Sequence, residues 1–113
     1  MELNKVDTLR YNLLESAMHY SYYWAKITDA SEHKVEFTMQ RPFAKDGYLV
    51  FEDVEQDDAF EPVRLDRKAL VRGWKVMQAD YPRHYKDAIE ENDDAITGDV
   101  YLQCCLFGKV IFG

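Results

Sequence analysis

The sequence predicts an α+β fold: an N-terminal helix, a three- to four-stranded antiparallel sheet, then three helices packed on one face. Three observations carry this expectation. Apolar residues recur at helical spacing near the start and alternate with polar ones through the middle. Helical spacing then returns after Leu65 with clear start and stop signals. The two periods occupy separate parts of the chain, the segregated pattern of an α+β domain rather than of repeated βα units.

Val6, Leu9, Leu13, Leu14, Ala17 and Met18 form one stripe, with Asp7, Arg10 and Glu15 outside it. That describes an amphipathic helix from Val6 to Met18 that needs a partner surface. From Tyr20 to Thr28, Tyr20, Tyr22, Trp24 and Lys26 alternate against Ser21, Tyr23, Ala25 and Ile27, which predicts a strand with rings on both faces. Lys34 to Gln40 alternates most clearly, Val35, Phe37 and Met39 against Glu36, Thr38 and Gln40. A strand is expected there, stopped at Arg41-Pro42 because proline cannot donate to a ladder. Asp46-Gly47 suits a turn into the strand Tyr48 to Val54, and Val63 to Leu65 suits a short edge piece.

The helical half opens at Asp66, which can cap free N–H groups, with Leu65 and Leu70 placed as a hydrophobic staple. Leu70, Trp74, Met77 and Tyr81 follow at helical spacing, and Gly73 suits close packing against the sheet. Pro82 fits the first turn of a helix to Glu91. Asp93 or Asp94 caps the last helix, where Ile96, Val100, Cys104 and Phe107 share a face and Gly108 is the stop. Val110-Ile111-Phe112 is apolar enough to be expected to fold back on the domain or to add an edge strand.

At 113 residues, 47% hydrophobic and 31% charged, the chain is expected to be a single folded domain, 1–113. The net charge is −7, and it is uneven: 13 acids face 7 bases before Leu65, and 8 face 7 after it. Glu52, Asp53, Glu55, Asp57, Asp58 and Glu61 form an acidic run with no opposing Lys/Arg cluster in sequence. That balance speaks against a surface tracking nucleic-acid phosphates. The run reads either as a solvated loop or as a patch for a basic partner. Cys104 and Cys105 are adjacent, a poor geometry for a disulfide, and read as packed thiols of a reducing compartment. With no signal-peptide pattern and no membrane-length apolar run, a cytoplasmic protein is expected.

Candidate chemistry is sparse. His19, His33 and His84 lack metal-ligand spacing, so neither a metal nor another cofactor is expected. Arg83-His84-Tyr85 with Asp87 superficially pairs a base with an orienting acid, yet no activated Ser or Cys accompanies it, and no catalytic residue is assigned. Asp99 stands among apolar neighbours, where a buried carboxylate needs a partner; Arg72, Arg83 or His84 could supply one. Tyr20, Tyr22 and Trp24 could stack on a flat ligand with Arg72 or Arg83 taking a phosphate, or could simply pack in the core.

Tyr81-Pro82-Arg83-His84-Tyr85, Glu91-Asn92-Asp93-Asp94-Ala95, Thr97, Asp99-Val100-Tyr101-Leu102-Gln103 and Leu106-Phe107-Gly108 resemble the C-terminal signature of an uncharacterised group of small bacteriophage-encoded proteins. Ser21-Tyr22-Tyr23-Trp24 is similar, more loosely, to an element near the front of that group, with His19-Tyr20 where relatives carry paired glycines. The resemblance implies a phage origin. By analogy with small acidic phage proteins, it implies a non-enzymatic accessory role: binding a host protein, such as a defence component, in the host cytoplasm. The alternative is a nucleotide-signal sponge built on the aromatic and arginine set. A homodimer through the last helix or the tail is also expected, because Val100, Cys104 and Phe107 on one side and Leu102, Cys105 and Leu106 on others make that helix apolar nearly all round.

Overall fold

Asn4 starts the first helix, its side-chain oxygen accepting the Asp7 N–H at 2.8 Å. The computed structural model describes residues 2–55, 59–92 and 94–113. Helix α1 (Lys5–Ala17) buries Leu9, Leu13, Leu14 and Ala17, four members of the apolar stripe. Three strands follow, β1 (Ala25–Ala30), β2 (Tyr48–Asp53) and β3 (Val63–Asp66), in the antiparallel order β1-β2-β3. β2 is the central strand, and Leu49, Phe51 and Leu65 turn inward from β2 and β3.

Two expected strand segments are corrected. Ser21–Tyr23 is a 3-10 turn, and the ladder begins only at Ala25. The turn wins because Ser21 is buried against Asp99, with its hydroxyl donating at 2.7 Å. The clearest alternation, Lys34 to Gln40, is not a strand at all: the chain there leads into a 3-10 turn, Thr38–Phe43. Gln40 explains why. Its Oε1 accepts the N–H groups of Glu36 and Phe37, two donors that a ladder would need. Of the three apolar side chains in the pattern, only Met39 is fully buried, and Phe37 is exposed.

Asp66 caps α2 (Arg67–Asp80) by accepting the Ala69 N–H at 3.0 Å. α3 (Pro82–Ile89) has proline in its first turn, and Asp94 caps α4 (Ala95–Phe107) through the Thr97 N–H at 2.9 Å. Asp93, the other candidate cap, lies outside the described residues. Gly108 ends α4 in the left-handed conformation, φ 73°.

α4 is the centre of the fold. Every residue from Thr97 to Leu106 is buried, while Ile96 at its start is exposed. α1 and α2 pack against it, and α3 lies against α2. Two glycines set these crossings, and Gly73 packs against α4 rather than against the sheet. A Cβ on Gly73 would lie 2.6 Å from the Cys105 nitrogen, and one on Gly98 would lie 2.7 Å from the Ala17 nitrogen. The helix that is apolar all round is thus buried on all sides within one chain, and its burial calls for no second copy.

Candidate functional site

The connection between β2 and β3 carries the acidic run. Glu55 and Glu61 are exposed and Glu52 and Asp53 are half-buried, while Asp57 and Asp58 lie outside the described residues. Asp53 organises the loop from within: one carboxylate oxygen accepts the Glu55 N–H at 2.8 Å, the other the Ala59 N–H at 3.1 Å. The Val54 N–H donates to the Trp24 carbonyl at 3.2 Å. Phe60 then inserts into an aromatic cluster, edge-on to Trp24 at 6.0 Å and to Phe107 at 4.9 Å. Glu55 and Glu61 are therefore exposed next to segments anchored to the core at several points.

The members of the aromatic and arginine set differ in their surroundings. Trp24 is 3% exposed, stacked on Phe112 at 4.8 Å, and its indole N–H donates to Asp99. It has no free face for a ligand. Tyr20 packs edge-on to Tyr23, and Tyr22 is 70% exposed. Arg72 donates to the Cys105 carbonyl, and Arg83 is exposed in the first turn of α3. The partners of Asp99 are also corrected. They are Ser21, Trp24 and Gln103, each donating at 2.7 Å, rather than Arg72, Arg83 or His84. His84 instead faces Thr97 Oγ1 at 3.2 Å.

A cleft of about 660 Å³ opens at the opposite end of the hairpin from the acidic loop, and none of the candidate binding residues named from the sequence lines it. Its walls are Phe43 to Tyr48 on one side and Arg64, Asp66, Arg67 and Lys68 on the other. Antiparallel pairing of Tyr48 with Asp66 brings these segments together. The guanidinium of Arg64 lies 3.8 Å from the Tyr48 ring centroid. Arg67 donates to both Asp7 oxygens at 2.8 Å and to the Phe43 carbonyl at 3.0 Å. Asp7 also accepts from Arg10 at 3.0 Å, so one buried carboxylate lies between two guanidiniums. His33 bridges Ser31 Oγ (2.9 Å) to the Lys45 carbonyl (2.8 Å), fixing the wall. The carbonyl can only accept, so Nε2 carries the hydrogen there. Gly47 allows the tight turn, because a Cβ would overlap the Arg41 carbonyl.

No family model, characterised protein or solved structure matches this chain.

Burial pushes the Cys104 thiol up to about 12 and the Cys105 thiol higher still, which suppresses the nucleophilic thiolate. Among the described residues, no group of three or more His, Cys, Asp or Glu is placed to hold a metal ion. Nor is any of the described helices long and apolar enough to cross a membrane. Sequence reasoning missed the cleft because its cations come from separate segments. The available signal was the run Arg64-Leu65-Asp66-Arg67-Lys68, set opposite Lys45-Asp46-Gly47 once the two strands pair.

Proposed function

We propose that this chain is a non-enzymatic binding protein of phage origin that acts in the host cytoplasm by contacting a host protein, a defence component among the candidates. The observation that carries the reading is the anchoring of the acidic loop through Asp53 and Phe60. Segments already held to the core, as those around Asp53 and Phe60 are, lose less entropy on docking than free ones. The Val54–Trp24 hydrogen bond also sets the 3-10 turn bearing Tyr22 and Tyr23 beside the start of the loop, and both tyrosines are exposed, at 70% and 42%. Acids flanked by exposed tyrosines suit a basic protein surface: charge sets the rate and register of encounter, and aromatic side chains anchor it. The same negative charge opposes direct nucleic-acid binding.

The deciding experiment captures partners from host lysate on wild-type protein and on Glu52→Gln/Glu55→Gln/Glu61→Gln, leaving Asp53 in place to hold the loop. Wild type retains a defined protein that added salt releases, and the variant retains much less of it at the same thermal stability. Equal capture by both proteins at low salt would remove the acidic loop as the contact.

A further inference from the structure

The cleft has a character opposite to that of the whole chain. We propose that it binds a small phosphate-bearing molecule, with the phosphate held among Lys45, Arg64, Arg67 and Lys68. The argument begins with charge. In a protein of net charge −7, this cleft sets four cations against Asp46 and Asp66, and Asp66 is engaged in capping α2. Among the described residues, no carboxylate lies within ion-pair distance of Lys45, Arg64 or Lys68. Like charges gathered without a counter-ion repel one another, and a multiply charged anion relieves that repulsion.

The donors are also held in place. Arg67 is fixed by Asp7 and the Phe43 carbonyl, and those three hydrogen bonds leave its guanidinium with unused N–H groups. Because Asp7 is shared with Arg10, one positive charge of that trio stays uncompensated. Arg64 is steadied over the Tyr48 ring. Pre-positioned guanidiniums bind phosphate oxygens through short charge-assisted hydrogen bonds, and the second negative charge of a phosphate monoester favours it over a singly charged carboxylate at a cluster of cations. The volume of about 660 Å³ suits a sugar phosphate or a mononucleotide. The negative charge of the rest of the surface repels a long polyanion.

The test is a titration of the ¹⁵N-labelled protein at low salt with inorganic phosphate, glucose 6-phosphate, adenosine monophosphate and adenosine, followed by amide shifts. Saturable shifts at residues 44–48 and 64–69 are expected with the phosphate-bearing probes and none with adenosine. A preference for one ester over inorganic phosphate identifies the source of the phosphate group. Lys45, Arg64 and Lys68 are exposed, so Lys45→Ala/Arg64→Ala/Lys68→Ala is expected to fold, and to bind on the order of tenfold more weakly or worse. If the triple variant melts early, Lys68→Ala alone serves, with a smaller loss in the same direction. Three results would overturn the proposal: adenosine binding as well as its monophosphate, variants binding like wild type, or shifts confined to other regions. None of these depends on a host partner, so the two readings fail separately.

Discussion

The indole N–H of Trp24 donates to Asp99 Oδ1 at 2.7 Å, joining residues 75 apart in sequence. Ser21 shares that oxygen, and Gln103 Nε2 donates to Oδ2. Gln103 in turn accepts the Ile111 and Phe112 N–H groups at 2.8 Å each. One buried carboxylate thus links the start of the sheet, the central helix and the C-terminal tail. Asp99→Ala strands three buried donors, and a loss of about 3 kcal/mol or more is expected in urea unfolding. Asp99→Asn should also be costly, because an amide N–H₂ would face one of these donors. Near-native stability for either variant would show that the network adds little.

Gly73→Ala is expected to destabilise despite the better helix propensity of alanine. A Cβ there would meet the Cys105 backbone, 2.6 Å from its nitrogen and 2.7 Å from its Cα, and overpacking of this kind costs about 1–3 kcal/mol. Cys105 Sγ lies nearer still, but the backbone contacts remain without it, so adding Cys105→Ala should restore the melting temperature only in part. Full recovery in that double variant would locate the strain in the sulfur alone.

Asp7 and Arg67 should differ when each is removed. Asp7→Ala leaves Arg10, whose side chain is 12% exposed, without its counter-ion, and a loss of about 3 kcal/mol is expected. Arg67→Ala leaves Asp7 still paired with Arg10, and the side chain it removes is 45% exposed, so the loss should be smaller. Chemical denaturation of the two single variants tests the order.

Alkaline pH should weaken the fold. Burial raises Cys104 from 9.0 to about 12, and burial together with the Glu15 hydrogen bond raises Tyr11 from 10.0 to about 12. Both groups are neutral in their protonated forms, so the folded state holds its protons more tightly than the unfolded state. The stability they contribute is complete below pH 9 and is lost as pH rises toward about 12. Melting temperature is expected to fall across that window, and Cys104→Ala should flatten the fall. At neutral pH, a thiol reagent should label neither cysteine until denaturant is added.

The helices were legible in sequence because their signals are local. Asp66, Pro82, Asp94 and Gly108 mark their ends by chemistry confined to a single turn, and all four stand where expected. Tyr48 to Val54 and Val63 to Leu65 were legible for the same reason, each being alternating or β-prone and bounded by turn residues. Lys34 to Gln40 misled because alternation is also met by a segment whose amides are taken by a neighbouring side chain, as Gln40 does. The acidic loop could be read as a run of like charge, but the cleft could not. Lys45 and Lys68 become neighbours only through strand pairing, and the sum of charge over the chain hides them.

The burial of α4 also has a consequence for synthesis. The helix that completes the core is made after the elements it covers, and its main neighbour, α1, is the farthest of them along the chain. Until residue 107 clears the ribosome, Leu13, Leu14 and Leu70 have no central helix to cover them. Contacts spanning this much chain form late and slow folding. The nascent protein therefore passes through a stage with its apolar faces open, when chaperone capture or aggregation competes with folding.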